Sequence, residues 1–323
     1  MRAQHCWAVV AAAFGLMASA HAQDFPYKPI RLVVPFEAGG TVDTLGRVVA
    51  NQIGKQSGAR MVIDNRPGAN SMIGTMEVAK ANADGYTVLN VSPSIVLNPH
   101  IYKKVQYDVF KTFVPVTSLA IGAGYLLVVR QELPAASVKE LIALAKKSSK
   151  NLTYGTPGVG NAIHIATESI ANKADIALLH VPYKGSASAL AAIAAGQVDL
   201  MVLSPTTVVP FVQSGKVRPI AFTGSARSPE FPDVPTMKEA GIDDLVIKGT
   251  WVGWFVPAGT PARIVAKLAY EVSTAVKNPQ VAATLTAGGF DPDGRTPAEF
   301  AQFVRAESER FGRAVKSAGI QMQ

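Results

Sequence analysis

The amino-acid sequence predicts an α/β fold: two α/β lobes joined by a hinge, with a ligand cleft between them. Three observations predict it. Short β-branched apolar runs alternate with stretches of helical periodicity from residue 30 onward, the pattern of strands covered by helices. The runs repeatedly stop at glycine-containing turns that open a helix. At 323 residues the chain is near the length at which one hydrophobic core divides into two.

Each element follows from its local pattern. Ile30-Arg31-Leu32-Val33-Val34 is a buried strand that ends at Pro35. Gly39 and Gly40 come next, then a helical pattern from Asp43 through Ile53. Met61-Val62-Ile63 is a second strand, followed by the loop Asn65-Arg66-Pro67-Gly68-Ala69-Asn70 and a predicted helix from Ile73 to Ala81. Gly85 to Val91 is a third strand. At Tyr125-Leu126-Leu127-Val128-Val129 a second series begins. Its predicted helices run from Val138 to Lys147, from Asn161 to Ala171 and from Ala187 to Ala195, the last stopped by Gly196. Its predicted strands are Leu152-Thr153-Tyr154, Ala177 to Val181, Leu200 to Leu203 and Val217 to Phe222. Beyond Gly241, Trp251 to Pro257 is a buried strand, and two helical patterns follow, Pro261 to Val276 and Pro297 to Ala318. Helices between successive strands predict parallel sheets in both series. Crossings near residues 123 and 247 divide the chain into 23–123 plus 248–323 and 124–247.

The first residues predict a leader rather than fold. Arg2 is followed by an uncharged apolar run from Cys6 to Ala18 and by the small-x-small pattern Ala20-His21-Ala22, the layout of a signal peptide over residues 1–22. An exported chain is therefore expected, with the periplasm as its compartment. Cys6 is the sole cysteine, so removal of the leader leaves no thiol and excludes cysteine catalysis and cysteine-ligated metal. After residue 22 no apolar run reaches the roughly 18 residues of a spanning helix. The net charge of +8 is dispersed, with no basic stripe interleaved with aromatics, so nucleic acid is not an expected partner. A monomer is expected, and no cofactor.

In open α/β sheets ligands sit beyond the carboxyl ends of the strands, so the turns there are the candidates. The first runs from Pro35 and Phe36 through Glu37, Gly39, Gly40 and Thr41 to Asp43. Adjacent glycines let the backbone approach a ligand, and the helix that follows aims unpaired N–H groups at the same spot. Asp43 reads as a helix cap or first-turn acid rather than a reactive group. The second turn is Tyr154-Gly155-Thr156-Pro157-Gly158-Val159-Gly160-Asn161, again opening a helix. The third is Pro182-Tyr183-Lys184-Gly185-Ser186, where Lys184 either pairs with a carboxylate or is a solvated lysine. Ser92-Pro93-Ser94 and Ser204-Pro205-Thr206-Thr207 add hydroxyls at strand ends. Amides, hydroxyls and helix starts all donate to anions, and no arginine lies in these turns. A carboxylate held by backbone and hydroxyl donors is the ligand they suit.

Catalytic motifs are missing: there is no Gly-x-Ser-x-Gly elbow, and Ser214-Gly215-Lys216 lacks the remainder of a P-loop. No His/Asp/Glu spacing suggests a metal. His164, one turn into the helix after the second turn, reads as a structural histidine or as a brace for that turn. Phe36, Tyr154, Tyr183 and Trp251 are candidates for a flat aromatic slot.

Several segments taken together are similar to one receptor family. They are Lys28 to Phe36 with Ala38-Gly39-Gly40 and Asp43; Asn65-Arg66-Pro67-Gly68-Ala69; Ala83-Asp84-Gly85-Tyr86-Thr87; Tyr154 to Gly160 with His164; Val181-Pro182-Tyr183-Lys184-Gly185; and Pro232-Asp233-Val234-Pro235-Thr236 with Glu239-Ala240-Gly241. In order and spacing they resemble the extracytoplasmic receptors of tripartite tricarboxylate transporters, often called Bug receptors. The resemblance implies a periplasmic-binding-protein fold, no enzymatic activity and partnership with a two-component membrane permease. It implies a di- or tricarboxylate, an amino acid or an aromatic acid as ligand, one carboxylate being held by Phe36, Gly39, Gly40, Thr41, Thr156, Gly158 and Gly160, often with waters. Gly196-Gln197-Val198-Asp199 also resembles a family motif, which would have Asp199 order those waters. Glu37 departs from the family pattern of a small residue or proline, and would repel a second carboxylate or pair with a ligand amine. The same fold also serves sensing modules that report to a signalling partner, which a neighbouring sensor-kinase gene would favour over a permease gene.

Overall fold

The computed structural model describes residues 25–317 and Met322. The leader expected over residues 1–22 lies outside the described residues. The first lobe opens with β1 (Ile30–Val34), α1 (Thr41–Ser57), β2 (Met61–Asn65), α2 (Met72–Ala79), β3 (Thr87–Val91), α3 (Ser94–Ile101), α4 (Val109–Thr112) and β4 (Phe113–Gly122). The second holds β5 (Leu126–Arg130), α5 (Val138–Lys147), β6 (Leu152–Thr156), α6 (Ala162–Ala174), β7 (Leu178–Pro182), α7 (Ser186–Ala194), β8 (Leu200–Leu203), α8 (Pro205–Gln213) and β9 (Val217–Phe222). The chain then returns through β10 (Trp251–Pro257), α9 (Ala262–Lys277), α10 (Pro279–Ala287), β11 (Phe290–Pro292) and α11 (Pro297–Ser317).

Among the described residues there are two sheets, and both are mixed rather than parallel throughout. The first has the order β11-β4-β10-β3-β1-β2 and the second β7-β6-β8-β5-β9. Strands joined by a covering helix run parallel, as β1 does to β2 and β3, and as β6 does to β7. Strands next to a crossing enter from the opposite direction. β10 is antiparallel to β3 and β4, and β5 is antiparallel to β8 and β9. The carboxyl ends of the parallel strands in both sheets still carry the turns predicted to hold a ligand.

Each sheet has its own core. Leu32, Val33, Val88, Leu89, Trp254 and Phe255 are fully buried in the first, and Leu126, Val128, Tyr154, Met201 and Val202 in the second. The last helices complete the first core: Phe300 packs edge-on against Trp251 at 5.8 Å, and Phe303 does so at 5.9 Å. Three helices stand where two patterns were predicted. Asn278 ends α9 and its side chain accepts from the Gln280 and Val281 amides to start α10, with Pro279 at its first position.

The lobes join through backbone. The Gly122 amide donates to the Thr250 carbonyl (2.7 Å) and the Gly249 amide to the Gly122 carbonyl (3.0 Å). The Thr223 amide donates to the Tyr125 carbonyl (2.8 Å), and the Tyr125 amide donates to the Thr223 hydroxyl (2.8 Å).

Candidate functional site

Four helix starts, taken from both lobes, meet at one cavity. Gly40, Thr41 and Val42 of α1 line it from the first lobe, with Phe36 and Ser92. Asn161, Ala162 and Ile163 of α6, Ser186 of α7 and Ser204 before α8 line it from the second, with Pro157. Tyr125 and Thr250, from the two crossing segments, close the end at the hinge. No side chain of this wall carries a formal charge. Helix starts present unpaired N–H groups and a partial positive charge, so their convergence makes an anion site without a cation. Neither α1 nor α8 has a side-chain cap; α6 is capped by Asn161, whose oxygen accepts from the Ile163 amide at 2.6 Å.

The predicted residues fall into two sets. Phe36, Gly40, Thr41, Ser92 and Ser204 lie in the cavity wall and are buried. The rest stand behind it or away from it. Gly39 is exposed, and its amide is taken by Asp43 Oδ2 at 2.9 Å. Asp43 also accepts from Asn65 Nδ2 at 2.9 Å and Arg47 Nε at 2.8 Å. Burial pushes its carboxyl up, but the bonds from Arg47, the Gly39 amide and Asn65 outweigh this and hold it below the ordinary carboxylate range. Asp43 is thus the tie of the first turn. Ser94 supports Ser92 at 3.2 Å and is itself held by Ser71 at 2.7 Å.

The second turn is organised from beneath. The Gly160 amide donates to His164 Nδ1 at 2.9 Å, and the Thr156 hydroxyl meets His180 Nε2 at 2.6 Å and the Gly158 carbonyl at 3.0 Å. His164 and His180 stack at 4.0 Å, with Tyr154 against His180 at 4.9 Å. Burial, with the charge of His180, lowers His164 to about 3, and burial lowers His180 to about 4. His164 therefore accepts as a neutral ring, and is a brace for the turn. Gly158 packs toward Asn70 of the first lobe, and Tyr102 donates to the Val159 carbonyl at 2.8 Å. These are contacts between lobes.

Three expectations are corrected. Asp199 lies at the amino ends of β6 and β8, accepting from the Thr153 amide (2.8 Å) and Arg130 (3.0 Å), and so sits at the opposite end of the sheet from the turns. It therefore stands outside the cavity wall. The aromatic slot does not assemble: Tyr154 is fully buried with its hydroxyl on Glu168, and Trp251 Nε1 donates to Glu307 at 3.1 Å. Tyr183 packs beside Gly155, and Lys184 is exposed, so neither reaches the wall. Of the wall residues not predicted, Pro157, Asn161 and Ser186 lie within turns the sequence picks out. Tyr125 and Thr250 carry no local signal; only the hinge brings them in.

The chain matches the tripartite tricarboxylate transporter family receptor model over residues 45–320. A Pseudomonas protein encoded in the tcbD–tcbE intergenic region is 35% identical over 292 residues, covering 90% of this chain and 86% of that one. An R. palustris protein solved with adipate superimposes with a TM-score of 0.89 at 34% identity, over 93% of this chain and 100% of that one. MatC from Rhodopseudomonas palustris, with bound malate, does so with a TM-score of 0.84 at 32% identity, over 90% of this chain and 100% of that one. With this fold, this cleft and these relatives, the chain belongs to the receptor family of the tripartite tricarboxylate transporters and is a solute-binding receptor, not an enzyme.

Proposed function

We propose that the protein is a periplasmic receptor that captures a small organic acid by a carboxylate between its lobes and delivers it to a two-component membrane permease. The convergence of the α1, α6, α7 and α8 starts on one uncharged cavity carries this reading. Each helix end favours an anion by about 0.3–1 kcal/mol, more where partly buried. A micromolar ligand needs roughly 8 kcal/mol. The helix ends left to the ligand, those of α1, α6 and α8, supply part of that, and hydrogen bonds from Thr41, Ser92 and Ser204 supply more once the lobes close. The adipate and malate of the two R. palustris relatives are acids of the kind such a site takes. Residues 23–123 with 248–323 and residues 124–247 are the two bodies that close, in keeping with the two separate cores. The leader over residues 1–22 exports the chain, and it works as a monomer.

A melting-temperature screen of organic acids, sugars and divalent metals tests this. A ligand that binds the native state at a hundred times its Kd stabilises it by about 2.7 kcal/mol. At least one carboxylic acid is expected to raise the melting temperature by several degrees. A response to sugars or metals with indifference to every acid would refute the reading.

A further inference from the structure

We propose that Glu37 sets the charge of the ligand: its carboxylate takes the α7 start, so the cleft accepts an acid with one carboxylate and an uncharged far end and rejects the matching dicarboxylate. This rests on the carboxylate reading above. The α7 helix has no side-chain cap of its own, and its N-cap is Gly185. The cap comes from the other lobe: the Ser188 amide donates to Glu37 Oε2 at 3.2 Å. Gly185 is shaped to this contact. A Cβ there would lie 3.1 Å from Glu37 Oε2 and 3.2 Å from its Cβ, so any side chain at this position would crowd the carboxylate.

The clasp lies next to the cavity wall. Ser186, next to Gly185, lies in the wall, as does Gly40, and a Cβ on Gly40 would be 3.9 Å from Ser186 Cβ. Among the described residues Glu37 enters no ion pair, so the helix start is its compensating partner. The clasp releases as the lobes part for a solute and re-forms as they close, so it is in place once a bound acid is enclosed. A ligand carboxylate arriving at this part of the wall meets a helix start already satisfied and a like charge a few ångströms away. At about 5 Å and an effective dielectric of about 20, that repulsion disfavours a second carboxylate by well over tenfold.

The test is calorimetric titration with matched pairs, succinate, adipate and terephthalate against the monoamide of each, on the wild type and Glu37→Gln. Gln keeps an oxygen for the Ser188 amide and removes the charge, so closure is preserved. The wild type is expected to bind at least one monoamide ten or more times tighter than its diacid. In Glu37→Gln that preference falls to within about twofold, by gain of diacid affinity. Equal affinities in the wild type, or an undiminished preference in the variant, would overturn the proposal while leaving the receptor reading intact. If no acid of either kind bound either protein, the carboxylate reading would fall and this inference with it.

Discussion

At residue resolution, the two turns of the cleft are each tied by one buried side chain, and the two ties respond to acid differently. Asp43 gathers the Gly39 amide, Asn65 and Arg47 from a site only 2% exposed. Hydrogen bonds to a charged group contribute about 1.5–3 kcal/mol each before redundancy. Asp43→Ala is therefore expected to lower unfolding stability in urea by about 2–3 kcal/mol, and to weaken acid binding because the turn before α1 loosens. The stability Asp43 supplies is present above its ordinary pKa near 3.8 and is lost as pH falls through its lower folded value. His164 acts at higher pH. Its folded pKa is depressed from 6.5 to about 3, so between those values the unfolded chain binds more protons than the native one. Stability is then full above about pH 6.5 and declines as pH falls toward 3. A proton on Nδ1 would also face the Gly160 amide and break the bond that braces the turn. His164→Asn keeps an acceptor close to that position without titrating. Chemical denaturation between pH 7 and 4 is expected to give a flatter stability profile for His164→Asn than for the wild type; parallel profiles would show that the ring does not carry this linkage.

Helix starts are the units that make the site, and α6 shows how a cap and a ligand can be separated. Asn161 caps α6 and also lines the cavity. Asn161→Ala should cost about 1 kcal/mol of stability. Asn161→Asp retains the cap and suits the helix dipole, but places a negative charge in the wall. Stability should stay within about 0.5 kcal/mol of the wild type, while acid affinity falls about tenfold or more by like-charge repulsion. Unchanged acid affinity in that variant would mean the α6 start does not face the bound carboxylate. Elements with a clear local pattern were legible in the sequence: the short apolar runs β8, β9 and β10 and the amphipathic, serine-capped α5 fall on their predicted limits. Six others, β4, β11, α3, α4, α8 and α10, were not, and for three of them the reason is local. β4 carries Pro115 and the buried pair Thr117-Ser118, which interrupt an apolar run, and it is a strand because β10 pairs along it. α3 and α8 contain Pro99 and Pro210, which locally argue for a break. The turns of the cleft were legible because glycines mark them. Which amides remain free in those turns was not, since Asp43 and His164 claim theirs through contacts four residues away that depend on rotamer. Tyr125 and Thr250 enter the wall from separate crossing segments, a juxtaposition with no local signature.

The whole molecule must move to work. The cavity between the closed lobes measures about 30 Å³, room for a few water molecules and far below the roughly 300 Å³ at which small-molecule pockets begin. A solute therefore enters only if the lobes part, and the clasp of Glu37 on Ser188 and the Tyr102 bond to Val159 form again as they close. The hinge that permits this is backbone packed on backbone. A Cβ on Gly124 would lie 2.6 Å from the Gly224 nitrogen, and one on Gly249 would lie 2.8 Å from Gly122 Cα and the Gly124 carbonyl oxygen. At Gly249 the three nearest atoms are all backbone, so a methyl group there must separate the crossing segments themselves. The two lobe cores lie outside this contact and should keep their packing. Gly249→Ala is accordingly expected to fold with wild-type circular dichroism but to rest with its lobes apart. Small-angle scattering reads this directly. The wild type should contract when the acid selected by the melting screen is added, and the variant should start larger and contract less. Because closure is where most hydrogen bonds to the acid form, affinity should fall about tenfold or more, in proportion to the lost population of the closed state. A Gly249→Ala protein with wild-type affinity and wild-type contraction would mean that the lobes pivot elsewhere, and that the glycine crossing only connects them.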